Sequence, residues 1–182
     1  MKPANPWKTL NSRLVYQNQW LRVREDQVIR PDGNEGVYGV VELPPSVAIV
    51  ALNDLDEVLL VGQWRYTHGK FSWEIPTGSS EAGEPVLEAA RRELREEGGV
   101  LAAEWVALGS IDNSNGVTTD VSHLFFATQL SATTRDEDPT EKLSVKWIPF
   151  SQAVENVMSS AMTESGTVAG ILKAHFYRLM RA

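Results

Sequence analysis

Residues 78–100, GSSEAGEPVLEAARRELREEGGV, constrain this chain more than any other stretch. Residues 78–83 are small and polar, the composition of a tight loop. Pro85 suits a first helical turn, where a missing N–H is no loss. Gly98 and Gly99 then end the helix. At about 100° per residue, Leu87, Ala90 and Leu94 share one narrow arc that has to face a core. Glu88, Arg91, Arg92 and Arg95 take the other side. Glu93, Glu96 and Glu97 fall together within an arc of about 100° beside the apolar stripe.

Carboxylates on one helical face repel, by about 0.2–0.5 kcal/mol for each i,i+4 pair. One account is a solvated acidic face balanced by Arg91, Arg92 and Arg95. The other is a hard-cation site, because Mg²⁺ and Mn²⁺ prefer carboxylate oxygens and turn the repulsion into binding. The stretch resembles the Nudix hydrolase signature, G-x5-E-x7-R-E-U-x-E-E-x-G-U with U aliphatic. Gly78, Glu84, Arg92, Glu93, Leu94, Glu96, Glu97, Gly99 and Val100 occupy every specified position. A chance match of the fixed positions arises at about one in 10⁸, so the cation site is the better account.

The remaining chain sets the class. Its 182 residues suit one domain, or one domain with an N-terminal annex. A net charge of −7 gives no basic face for a nucleic-acid backbone. A phosphate-bearing small molecule stays compatible, since cations can supply the positive charge. No cysteine is present, which removes disulfides, thiolate zinc sites and cysteine nucleophiles. Residues 1–8 hold no apolar run of a signal peptide, and no run approaches a membrane span. The expectation is a cytoplasmic protein with no membrane and no nucleic-acid partner.

Residues 1–12, with Pro3 and Pro6, read as a loose arm. Strands are expected at 13–16, 20–29 and 37–43, with a turn at Pro31, Asp32, Gly33 and Asn34. Pro44 and Pro45 separate this antiparallel unit from the next strand. The apolar run 47–52 fits a strand buried on both faces. Further strands are expected at 57–63, 71–75, 105–111, 122–129 and 142–148. Residues 112–120 read as a polar loop and 131–141 as an acidic one. Ser151 is the expected cap of a helix ending at Met158, and residues 167–180 form the closing helix. Strand runs with few helices and no βαβ alternation give an α+β class. The resemblance implies a Nudix-type α/β/α sandwich with a mixed sheet over residues 44–182, preceded by an antiparallel dimerisation unit over 1–43.

The resemblance also implies roles. Glu93 and Glu97 are direct metal ligands, Glu96 serves a second ion or acts through water, and the Thr77 carbonyl completes the shell. Glu84 and Arg92 form a structural ion pair between loop and helix. The segments 31–33, 61–66 and 71–78 resemble the ADP-ribose and nucleoside diphosphate sugar pyrophosphatases. Those enzymes are homodimers that break the pyrophosphate bond with Mg²⁺, or Mn²⁺, yielding a nucleoside monophosphate and a sugar phosphate. Arg65 matches a diphosphate-contacting arginine and Asp120 an acidic substrate contact. Glu74 and Trp73 line the pocket, with core packing an equal role for Trp73. Glu141 aligns with the catalytic-loop glutamate, as base or as an extra metal ligand, and Trp20 or Arg22 is placed to reach a neighbouring subunit's site. One departure stands out: Ser114, Asn115 and Gly116 replace the S-P-G usual in ADP-ribose enzymes. That leaves other nucleoside diphosphate sugars open, and a dinucleoside polyphosphate hydrolase or a non-catalytic nucleotide sensor as alternatives. His68, His123 and His175 lack zinc-ligand spacing.

Overall fold

Strand β4 (Ser46–Ala51) shows why an unbroken apolar run is needed at its position. Val47, Ala48, Ile49, Val50 and Ala51 are each no more than 1% exposed. Alternate side chains leave opposite faces of a strand, so the run serves two cores. Ala48 and Val50 pack with Leu60, Ile75, Leu124 and Ile171. Val47, Ile49 and Ala51 pack with Leu59, Ala90, Leu94 and Phe125. The computed structural model describes residues 4–136 and 142–181.

Two compact units are present: residues 1–44 with 112–120, and residues 45–111 with 121–182. The second unit holds β4, β5 (Glu57–Arg65), β6 (Lys70–Glu74), β7 (Thr77–Ser79), α1 (Val86–Gly98), β8 (Val100–Asp112), β9 (Val121–Ala132), β10 (Ser144–Pro149), α2 (Phe150–Met158) and α3 (Ser165–Leu179). One sheet runs β7-β4-β9-β8, with β4 parallel to β9 and antiparallel to β7. The other, β10-β5-β6, is antiparallel. Helix α1 packs on β4, β5 and β7, while α3 packs on β4 and β9. The result is the expected mixed sheet between helices, of α+β class. No helix among the described residues is long and apolar enough to cross a membrane.

The first unit is the antiparallel sheet β1 (Lys8–Gln17), β2 (Arg22–Ile29) and β3 (Glu35–Glu42). Its loop 112–120 is held to β3: Val41 N–H donates to Val117 O at 2.8 Å, and the Tyr38 hydroxyl donates to Gly116 O at 2.7 Å.

Several boundaries differ from the sequence reading, each for a non-local reason. The supposed arm becomes strand from Lys8, because β2 supplies a partner as far as Ile29. The first two residues of the expected loop, Gly78 and Ser79, are instead part of β7, through pairing with residues 46–48 of β4. Pro85 is the residue before α1, with extended ψ of 136°, so helix begins at Val86. Ser151 is not a cap: α2 starts at Phe150, with Pro149 in the cap position and no side-chain cap bond. Helix α3 starts at Ser165, because the Glu164 carboxylate accepts from the N–H groups of Gly166 and Thr167.

Leu94 joins α1 to the core and is fully buried. Leu94→Ala is expected to lower unfolding free energy by about 2–5 kcal/mol. A urea titration that gave wild-type stability would contradict this placement of α1.

Candidate active site

The pairing of β7 with β4 lays residues 77–79 beside α1. Ser80 N–H donates to Pro45 O at 2.8 Å, which holds the loop beyond β7. The approach of loop and helix is close enough to demand glycine. A Cβ on Gly78 would stand 2.2 Å from Glu93 Cδ. One helical turn on, Glu97 is 6% exposed and its Oε2 accepts from Thr77 N–H at 3.0 Å. Glu93 and Glu97 therefore both lie against the backbone of Thr77 and Gly78.

Arg92 ties the same parts from the outer side. Its Nε and Nη2 each donate to Glu84 at 3.0 Å, a bidentate pair, and Nη2 also donates to Ser79 O at 3.0 Å. Its Nη1 reaches Glu93 at 2.8 Å and Glu96 at 3.2 Å. Arg95 takes the other oxygen of Glu96 at 2.9 Å. The hydrogen bonds that Arg92 donates to Glu84 hold its guanidinium far above its ordinary value, with Glu93 and Glu96 adding. In return Arg92, and then the Glu81 N–H, hold the Glu84 carboxyl below the usual carboxylate range. The expected loop-to-helix pair of Glu84 with Arg92 is thus present as geometry.

Among the described residues no three His, Asp or Glu side chains stand as a ready metal cluster. Glu96 is turned to the two arginines rather than toward Thr77. The donor set still fits a hard divalent cation. Two carboxylates, the Glu93 side chain at 12% exposure and the Glu97 residue at 6%, lie against the same short stretch of backbone, and carboxylate oxygens are the donors such an ion prefers. A charge drawn near that spot relieves the crowding of like charges on α1.

Strands β5 and β6 build a second group. Glu74 is only 1% exposed, and its carboxylate receives the Arg65 guanidinium. Arg65 Nε lies 3.1 and 3.2 Å from the two Glu74 oxygens, and Nη2 bonds Oε2 as well. Glu74 raises the Arg65 basicity first, with Glu164 and Glu97 contributing through space. Arg65, His68, Lys70, Ser72, Glu74 and Glu164 line a cavity of about 320 Å³. A larger cavity, about 710 Å³ around Phe150, His175 and Arg178, includes none of these groups. Trp73 packs edge-to-face with Phe71 at 5.5 Å, under Lys146 Nζ at 3.9 Å, and against the α3-side core. That is the packing role, reached from the same strand as Glu74.

Asp120 lies in the first unit, where its Oδ2 accepts from Asn113 Nδ2 at 3.0 Å. Trp20 and Arg22 are in that unit too, Trp20 being 67% exposed. Glu141 falls outside the described residues. Glu164 and Thr167 went unnoticed in the sequence; a glutamate followed by Ser165 and Gly166 is a weak cap signal, and a buried threonine leaves none.

This geometry sets two expected outcomes. Gly78→Ala is expected to fold with nearly wild-type stability, because the clashing atoms end a flexible side chain, but to displace the Glu93 carboxylate and abolish activity. Normal turnover in this variant would refute the close approach. The Glu84 carboxyl titrates below its ordinary value of 4.5. Its stabilisation is complete above that value and fades as pH falls through the lowered one. The stability gap between wild type and Glu84→Gln should therefore be full at neutral pH and narrow below about pH 4. Denaturation at both pH values checks the sign.

Comparison with known proteins places the chain in a family. The NUDIX domain matches residues 42–165, and the nucleoside diphosphate sugar hydrolase N-terminal domain matches residues 7–41. The chain is 34% identical over 172 residues to an ADP-ribose pyrophosphatase of Mycobacterium tuberculosis, covering 93% of this chain and 83% of that protein. It is 28% identical to a methanol dehydrogenase activator of Bacillus methanolicus, over 90% of each. A solved ADP compounds hydrolase superposes with a TM-score of 0.87 at 20% identity, covering 100% of this chain and 99% of that one, a likeness of fold. The chain belongs to the Nudix hydrolase family.

Proposed function

We propose that this protein hydrolyses the pyrophosphate bond of nucleoside diphosphate sugars, of the ADP-ribose and GDP-mannose type, to a nucleoside monophosphate and a sugar phosphate. The observation that carries this reading is the convergence of Glu93 and Glu97 on the Thr77 and Gly78 backbone. The matched N-terminal domain and the mycobacterial ADP-ribose pyrophosphatase narrow the substrate class.

Glu93, Glu97 and the Thr77 carbonyl would hold one Mg²⁺, with Glu96 at a second ion or acting through water. When bound, Mg²⁺ or Mn²⁺ supplies charge neutralisation at the pyrophosphate oxygens and lowers the pKa of a bound water. Glu84 and Arg92 keep the loop fixed against α1, so the carboxylates start from one geometry. Arg65, kept cationic by Glu74, orients the diphosphate. Glu141 acts as the base that takes the proton from the attacking water or as an extra metal ligand. Asp120 binds substrate, and Trp73 packs against the core from the strand that carries Glu74.

The enzyme is proposed to be a cytoplasmic homodimer. Residues 8–17 of β1 are exposed throughout, with Leu10, Leu14, Val15 and Tyr16 each about half exposed. An apolar strand of that kind suits burial against a second copy.

The test is phosphate release, coupled to a phosphatase, from ADP-ribose, GDP-mannose, UDP-glucose, ADP-glucose, diadenosine polyphosphates and nucleoside triphosphates with Mg²⁺. Turnover of several nucleotide sugars is expected, and Glu97→Gln should reduce kcat by roughly two orders of magnitude or more while leaving the fold intact. Turnover of polyphosphates or triphosphates alone would overturn the substrate class. Near-wild-type Glu97→Gln would overturn the ligand assignment.

A further inference from the structure

The segment that brings Thr77 to the site has three successive backbone groups tied to three separate elements. Thr77 N–H is held by Glu97 of α1 at 3.0 Å. Pro76 O accepts from Ile49 N–H of β4 at 2.9 Å. Ile75 N–H donates to the hydroxyl of Thr167, on α3, at 3.1 Å and 92 residues away in the chain. The first two ties belong to the loop-helix site and its sheet; the third comes from a helix with no signature residue.

Thr167 is wholly buried, as is Ile75. Its own N–H is taken by the Glu164 carboxylate at 2.6 Å, which fixes the first turn of α3. The helix is also pressed close: a Cβ on Gly170, one turn further, would come within 2.8 Å of Ile75 Cδ1. Packing alone would permit Ile75 to slide along α3. A hydrogen bond has direction, and a buried N–H cannot replace it with water. The Thr167 hydroxyl therefore sets where the segment leaves β6, and so where the Thr77 carbonyl and the Glu97 carboxylate meet.

We propose that Thr167 is a positioning residue for the metal site: its hydroxyl, presented by the Glu164-capped turn of α3, holds Ile75 and fixes the Thr77 backbone against Glu97. This rests on the reading of Thr77 and Glu97 as metal ligands. Loss of a group that orients a metal ligand weakens metal binding, by about 10- to 100-fold where that group bonds the ligand directly.

The experiment compares Thr167→Val, which keeps the shape but loses the acceptor, with Thr167→Ser, which keeps the hydroxyl. Val157→Ala, in the same core on α2, controls for lost stability. Amide hydrogen exchange of the metal-free protein reports Ile75 and Thr77 directly, and Mn²⁺ binding without substrate is followed by electron paramagnetic resonance. Thr167→Val should speed exchange at both amides and weaken Mn²⁺ binding by about tenfold or more. Thr167→Ser should stay near wild type, and Val157→Ala should leave both readouts unchanged. Wild-type exchange and Mn²⁺ affinity in Thr167→Val would overturn the proposal. So would an equal loss in Thr167→Ser or in Val157→Ala. If Thr167→Val fails to fold, Thr167→Ala is read the same way. Should the wild type bind no Mn²⁺, the metal-site reading fails, while the exchange rates still decide whether Thr167 holds the loop.

Discussion

One guanidinium holds the acidic face of α1 together. Glu93, Glu96 and Glu97 crowd within little more than one helical turn, and Glu84 is brought to them by the loop. Without a counter-charge this arrangement opposes both the helix and the turn. Arg92 answers with all its donor edges: two bonds to Glu84, one to Ser79 O, and Nη1 shared by Glu93 and Glu96. Its planar fork suits this where a lysine ammonium would not. The geometry of Gly78 against Glu93 depends on that clamp, since the loop and helix approach only as closely as their charges allow.

The frame beneath the clamp is β4. Burial on both faces lets one strand register α1 on one side and α3 on the other. Its edges add the rest: β7 on one side carries Thr77 and Gly78, and β9 on the other runs parallel with Ala48 opposite Leu124. The segment of Ile75, Pro76 and Thr77 crosses this frame and takes a bond from α3, β4 and α1 in turn. Precision at the loop is thus inherited from three rigid elements rather than from the loop's own residues.

That division explains what could be read from the chain. The α1 carboxylates, its apolar stripe and the Gly99 stop are local, fixed by helical period and by a left-handed φ of 66° that glycine adopts freely. The double burial of residues 47–51 was legible for the same reason, as a run without alternation. What escaped depends on partners distant in sequence. Lys8 becomes strand because Ile29 lies across from it, and residues 77–79 because β4 does. Arg65 and Glu74 could be singled out separately, but their union across β5 and β6 depends on register, which pairs Gln63 with Ser72 and leaves the two side chains on a diagonal. Proline and serine signals misplaced the start of α2, since Phe150 is drawn into the helix by its place in the core.

The clamp also separates two demands that would otherwise conflict. The loop must stay anchored, yet in the proposed metal site the carboxylates must be available to a cation. Arg92 meets the first with Nε and Nη2, which are committed to Glu84 and Ser79 O. Only Nη1 engages Glu93 and Glu96. Movement of those two carboxylates toward a divalent ion gives up Nη1 contacts and nothing else of Arg92. Glu97 accepts from the Thr77 N–H, which ties the helix to the loop's backbone directly. The anchoring bonds and the bonds to be exchanged thus lie on different atoms, and the site can fill without loosening the loop that forms it.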